Sequence, residues 1–110
     1  MTLVETPEYQ LLADAMQDWP DEALQRVASA PAEKWCAKYA CRGDNSARCL
    51  LGHAEDWRQS YGVTHEISLP ITREHWYQIG RTFDGLFLAH GAPVVLVLQA
   101  AARRILEVRR

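Results

Sequence analysis

Prolines and capping residues divide this chain into short segments, and this pattern limits which folds the chain can adopt. The residues that mark candidate helix starts are Thr6-Pro7, Pro20, Pro31, Asp44, Thr72 and Pro93. Small polar residues are typical N-caps, and proline is favoured at the first helical position. With Gly43, Gly62 and Gly91 as stops, the pattern predicts an all-α fold, a compact bundle of five to six short helices.

Apolar residues recur at helical spacing within these segments. The expected inward stripes, in chain order, are Tyr9, Leu12, Met16 and Trp19; Leu24 and Val27; Trp35 and Tyr39; Ala47, Leu50, Leu51, Ala54 and Trp57; Trp76, Ile79, Phe83, Leu86 and Phe87; and Ala101, Ala102, Ile105 and Leu106. Residues 94–98 are apolar all round, which predicts that the last helix begins in the centre of the fold. Gly52 interrupts the fourth stripe and indicates either a close packing partner or a local break.

Residues 63–71 follow a different pattern. Apolar and polar residues alternate there with a period of two, which is typical of extended chain. Because no second segment of this kind is evident, we expect an extended segment laid over the core and not a paired strand. A strand added across a dimer is the alternative.

Length and charge narrow the class of protein. The 110 residues suffice for one domain, expected to span 1–110, and a net charge of −2 with a pI near 6.0 argues against nucleic acid as the main partner. The first residues do not resemble a secretion signal, and the most apolar segment, 86–102, is interrupted by polar residues, glycine and proline. We therefore expect a cytoplasmic protein that does not enter a membrane.

All three cysteines lie in one stretch, together with a histidine. Cys36, Cys41, Cys49 and His53 are residue types that bind zinc, although their spacing matches none of the strong zinc motifs. A Cys41–Cys49 disulfide would display an Arg-Gly-Asp triplet, an arrangement typical of extracellular adhesion loops. The favoured interpretation is a turn between two helices with buried thiols, no cofactor, and zinc as the alternative.

Catalytic chemistry has one candidate pair in the same stretch. Cys49 and His53 are four residues apart, and a position near a helix start would lower the pKa of the Cys49 thiol. No third residue that could orient them is evident, so no catalytic residue is predicted. Glu55 and Asp56 are interpreted as members of a solvated helix face.

These observations favour a small protein-binding or regulatory domain, of the adaptor or inhibitor type found among bacterial and mobile-element proteins. It would bind another protein or itself, and a homodimer is one such arrangement. The candidate partner-binding residues are charged and expected at the surface: Arg42, Asp44, Arg48, Arg103 and Arg104. The alternatives are a helical DNA-binding regulator, with a helix-turn-helix in residues 32–58, and a small zinc protein.

Overall fold

Helices make up most of the fold, as the pattern of prolines and capping residues predicts. The computed structural model describes residues 2–37, 47–59 and 63–110. Its elements within these ranges are α1 (Pro7–Met16), α2 (Asp21–Ser29), α3 (Leu50–Ala54), β1 (Trp57–Gln59), β2 (Val63–His65), α4 (Arg73–His90), α5 (Ala92–Arg109) and two 3₁₀ turns, Leu3–Glu5 and Ala32–Lys34. The all-α class is confirmed, with one two-stranded antiparallel sheet added. None of the helices in these ranges combines the length and apolar character needed to cross a membrane.

Capping residues begin the helices where the sequence places them. The Thr6 hydroxyl accepts a hydrogen bond from the Tyr9 amide at 3.2 Å, and the Thr72 hydroxyl accepts one from the His75 amide at 3.1 Å. Gly91 separates α4 from α5 with a φ of +70°, a left-handed conformation that favours glycine. The predicted bounds of α1, α4 and α5 therefore follow from local chemistry.

Helix α5 lies at the centre of the packing, and its most extensive contact is with α2. Val94, Val95 and Leu98 are completely buried. Leu96, however, is 60 % exposed, so the expectation of burial all round the first turns is wrong. One face of α5 meets solvent because no described helix covers it.

The end of α2 is capped by side chains from α5. The Gln99 amide donates hydrogen bonds to the carbonyl oxygens of Val27 at 3.2 Å and Ala30 at 2.6 Å. Arg103 donates to the carbonyl of Ala28 at 2.9 Å. These carbonyls belong to the last turn of a helix, where intrahelical donors run out.

The predicted third helix is wrong in the part that the structure describes. Only the 3₁₀ turn Ala32–Lys34 forms, and Trp35 then lies in extended backbone that pairs in parallel with Arg48. The Arg48 amide donates to the Lys34 carbonyl at 2.8 Å, and the Cys36 amide donates to the Arg48 carbonyl at 3.0 Å. This pairing with a distant residue replaces the helical hydrogen bonds. Tyr39 lies outside the described residues.

The predicted fourth helix is also shorter than the stripe implies. It spans Leu50–Ala54 and ends before Asp56, whose φ of +50° is left-handed. Trp57–Gln59 is instead a strand that pairs with Val63–His65, with Trp57 opposite His65. The expectation that the segment 63–71 lacks a strand partner is therefore wrong, because its partner lay in residues assigned to the helix.

The presence of glycine at position 52, inside α3, is explained by close packing partners. A β-carbon at Gly52 would lie 2.9 Å from the Arg48 Cβ and 3.3 Å from the Trp57 Cε3. The chain before α3 and the strand after it both approach the helix at this point, so the glycine permits close packing.

Candidate functional site

A buried carboxylate bonded to two tryptophans is the most organised polar feature of the described chain. Glu55 is only 5 % exposed, and its Oε1 accepts hydrogen bonds from the indole nitrogens of Trp57 and Trp76, both at 2.9 Å. Its Oε2 lies 3.6 Å from Nδ1 of His65. We call Glu55, Trp57, His65 and Trp76 the Glu55 cluster. Burial of the carboxylate is tolerated because charge-assisted hydrogen bonds replace part of its hydration.

The three rings of the cluster lie nearly parallel. Trp57 and His65, which face each other across the two strands, have centroids 5.3 Å apart and an interplanar angle of 15°. His65 and Trp76 lie 6.2 Å apart at 12°. Trp57 and Trp76 lie 6.1 Å apart at 26°. The sheet register thus sets the position of His65, and α4 supplies Trp76. Stacking of this kind adds to the free energy from burial.

An open cavity of about 430 Å³ adjoins the Glu55 cluster. Glu55, His65 and Trp76 line it together with Tyr77 and Arg73. Trp76 and Tyr77 meet at a right angle, with centroids 5.2 Å apart and an interplanar angle of 88°. The Arg73 guanidinium lies 5.7 Å from the centroid of the Tyr77 ring and 3.5 Å from its hydroxyl. The cavity therefore combines an anionic group, a cationic group and aromatic surfaces.

Asp56, the neighbour of Glu55, is surrounded by arginines. Its carboxylate lies 3.0 Å from Arg58, 3.3 Å from Arg48 and 3.3 Å from Arg26, and the residue is 4 % exposed. Burial alone would raise the pKa of Asp56, but the hydrogen bond from Arg58, the charges of Arg26 and Arg58 and the bond from Arg48 outweigh it and lower this pKa. This arrangement ties α2, the chain before α3 and β1 together.

The interpretation of Glu55 and Asp56 as a solvated helix face is therefore wrong. Both residues follow the end of α3 and point into the structure, because the chain leaves the helix at Asp56. One sequence signal could have indicated this. A buried tryptophan usually needs an acceptor for its indole N–H, and the two residues directly before Trp57 in the chain, Glu55 and Asp56, are both carboxylates.

The cysteine stretch is only partly described, since Cys41 lies outside the described residues. Cys49 is buried at the N-cap of α3, and burial, with a smaller contribution from the nearby Asp84, raises the pKa of its thiol to about 12. The expectation of a lowered pKa is wrong: backbone hydrogen bonds from Gly52 and Leu51 at the start of α3 lower it, but desolvation outweighs them. Burial therefore disfavours the thiolate form that a nucleophilic cysteine needs.

His53 is held in a structural role in the same region. Its Nε2 lies 2.8 Å from the Lys34 carbonyl, and its ring lies 4.3 Å from that of Trp35. A carbonyl only accepts, so Nε2 carries the proton and Nδ1 is the nitrogen left to bind a metal. Burial lowers the pKa of His53 to about 4. Among the described side chains no three metal-binding residues converge, and the zinc hypothesis, which needs Cys41, stays a prediction.

The candidate partner-binding residues fall in different places. Arg42 and Asp44 lie outside the described residues. Arg48 is mostly buried against Asp56, and Arg103 donates to the Ala28 carbonyl while remaining exposed. Arg104 lines a groove between α1 and α5. The structure therefore places Arg48, Arg103 and Arg104 in three different environments instead of grouping them on one surface.

The α1–α5 groove has a volume of about 310 Å³. Its apolar lining comes from both helices and consists of Tyr9, Ala13, Ala101, Ile105 and Val108. Val108 is 81 % exposed, more than any other large apolar side chain of the described residues. Asp14 on α1 and Arg104 on α5 add opposite charges to the lining.

The helix-turn-helix interpretation of residues 32–58 lacks support where the chain is described. The first helix is replaced by the 3₁₀ turn and the bridge to Arg48, and the second helix is five residues long. A recognition helix needs a longer exposed face to enter the major groove of DNA.

Comparison with known proteins adds no relationship. No protein-family model matches the chain, and the searches of curated proteins and of solved structures each gave no significant match. Function therefore has to be argued from the chemistry of the surfaces and cavities themselves.

Proposed function

We propose that this chain is a small cytoplasmic protein-binding domain of a regulatory kind, and that the α1–α5 groove is its binding surface. The observation that carries the proposal is the exposure of Val108 within a groove whose other apolar side chains are largely buried. An exposed apolar side chain beside a preformed apolar groove is typical of a surface that a partner covers.

A second copy of the chain is the occupant that the groove fits best. Asp14 lies on one helix of the groove and Arg104 on the other. In a twofold arrangement, α1 of each copy faces α5 of the other, so each Asp14 meets the partner's Arg104. The two Val108 side chains would then be covered together. Self-complementarity of this kind is what a twofold interface requires.

Sedimentation equilibrium of the purified chain tests the proposal, over concentrations from about 1 to 500 µM, a range that covers micromolar dimers. We expect a monomer–dimer equilibrium for the natural sequence. Val108→Glu places a charge in the centre of the interface, and we expect it to weaken dimerisation at least about tenfold. Arg104→Glu should weaken it less, and Asp14→Arg combined with Arg104→Asp should recover part of the loss.

Leu96→Glu is the matched control. Leu96 lies on the same helix and is also highly exposed, but it does not line the groove. This variant should dimerise like the natural sequence. A monomer at every concentration, or equal weakening by Leu96→Glu and Val108→Glu, would contradict the groove as the site of self-association.

A further inference from the structure

We propose that the cavity beside the Glu55 cluster binds a small zwitterion, an amino acid or an N-methylated amino acid, with its ammonium group at Glu55 and its carboxylate at Arg73. This site is separate from the α1–α5 groove, and it shares no lining residue with it. The proposal therefore does not depend on the oligomeric state.

The anionic side of the cavity is the first observation. The Glu55 side chain is 7 % exposed, and its Oε1 already accepts two indole hydrogen bonds. Its Oε2 reaches only Nδ1 of His65 among the described residues, at 3.6 Å, which is longer than a hydrogen bond. A mostly buried carboxylate in a cavity wall favours a cationic group in that cavity.

The aromatic walls are the second observation. Trp76 and Tyr77 meet at 88° and both line the cavity. Perpendicular aromatic rings beside a carboxylate are suited to an ammonium group, and most of all to a methylated one, because ring faces attract cations. Arg73 already places its guanidinium 5.7 Å from the centre of the Tyr77 ring, so this surface attracts positive charge within the chain itself.

Arg73 is the third observation, and it excludes a simple cation as the best ligand. Its guanidinium lies in the cavity wall and, within the described residues, interacts with Tyr77, an uncharged side chain. It also occupies the first turn of α4, an 18-residue helix whose N-terminal end favours negative charge. A ligand carboxylate would pair with the Arg73 guanidinium and would also be favoured by the N-terminal end of α4, whereas an amine without a carboxylate would be repelled by Arg73.

The order of contacts fits a ligand with separated charges. Glu55 is bonded to the indole of Trp76, the Trp76 ring contacts Tyr77, and the Tyr77 hydroxyl lies 3.5 Å from Arg73. The carboxylate and the guanidinium are thus connected through two aromatic side chains that line the same cavity. A molecule with one ammonium and one carboxylate carries the groups complementary to both.

Glycine betaine is the probe we would use, in an NMR titration that follows the four indole N–H signals. The indoles of Trp57 and Trp76 bond to Glu55 and should shift in a saturable way, while those of Trp19 and Trp35 serve as internal controls. Parallel titrations use tetramethylammonium chloride and sodium acetate at matched ionic strength. We expect betaine to bind at least about tenfold more tightly than either.

Variants test each half of the site. Glu55→Gln keeps an acceptor for the indoles but removes the charge, and Arg73→Gln removes the exposed cation. Each should weaken betaine binding at least about fivefold. Arg81→Gln, on the same helix but outside this cavity, should leave it unchanged. Circular dichroism confirms that each variant is folded.

Three results would overturn the proposal. The first is the absence of saturable shifts of the Trp57 and Trp76 indoles with betaine. The second is equal affinity for tetramethylammonium and betaine. The third is a folded Arg73→Gln variant that binds betaine as well as the natural sequence.

Discussion

Replacing Gly52 with alanine should destabilise the protein, although alanine is the better helix former. The new β-carbon would lie 2.9 Å from the Arg48 Cβ and 3.3 Å from Trp57. The first of these neighbours is joined directly to a backbone held by the pairing of Arg48 with Trp35, so it cannot move away cheaply. The matched substitution is Gly85→Ala in α4, where no atom lies within 4 Å of the new β-carbon.

The two substitutions should have opposite signs. Overpacking costs about 1–3 kcal/mol, and contact with a β-carbon on a fixed backbone falls in the upper part of that range, about 2–3 kcal/mol. The helix preference of alanine recovers about 1 kcal/mol, which leaves a net loss of about 1–2 kcal/mol at Gly52. Gly85→Ala has no steric cost and should gain about 0.5–1 kcal/mol. With about 2.1 cal/mol/K of unfolding entropy per residue, these changes correspond to a fall in Tm of about 4–8 °C and a rise of about 2–4 °C.

Urea and thermal unfolding, followed by far-UV circular dichroism, measure both effects. The natural sequence and the two variants are compared at one protein concentration, since dimerisation would shift the midpoints. If Gly52→Ala is as stable as Gly85→Ala, the close approach of Arg48 and Trp57 to α3 is not the reason for glycine at that position.

Two further predictions follow from the pKa values of buried groups. Because the pKa of His53 is lowered from 6.5 to about 4, its unfolded form binds a proton more readily. The free energy of unfolding should therefore be highest above pH 6.5 and fall by up to about 3 kcal/mol as the pH drops towards 4; His53→Gln should flatten this part of the curve, and an unchanged slope would contradict the assignment. Since burial raises the pKa of Cys49 to about 12, iodoacetamide should label this thiol only as fast as the protein opens. Peptide mass spectrometry across a urea series checks this, and rapid labelling in native buffer would show that Cys49 is accessible.

Local signals in the sequence were sufficient for the helices that begin with a cap. Thr6 and Thr72 accept the expected amide hydrogen bonds, and Gly91 adopts the expected left-handed turn. Each of these features depends on residues a few positions apart, so a single sequence carries enough information to predict them.

The middle of the chain could not be predicted in the same way, because its structure depends on distant partners. Trp35 is extended because its backbone neighbours bond to Arg48, and Trp57 is in a strand because it pairs with His65. In the sequence alone, the apolar residues of 47–57 fit the stripe of one long helix as well as they fit a short helix followed by a strand. Long-range pairing overrides such a pattern, and the pattern itself contains no sign of it.

The site was missed for the same reason. Whether Glu55 lies on a solvated face or beneath two indoles depends on Trp76, which is 21 residues further along the chain. The sequence did indicate that the four tryptophans are inward, and Trp19, Trp35 and Trp57 are buried while Trp76 is partly buried. What it did not indicate is which carboxylate accepts the N–H groups of Trp57 and Trp76.

The capping of α2 by α5 has a consequence for how the protein folds. The carbonyls that end α2 find their donors in Gln99 and Arg103, about 70 residues later in the chain. An isolated α2 of nine residues is too short to persist in water. We therefore expect α2 to form only when α5 packs against it. This requires the long segment between the two helices to close into a loop early in folding. A chain of this topology should fold more slowly than a bundle stabilised by neighbouring contacts, and α2 and α5 should exchange their amide protons as one cooperative unit.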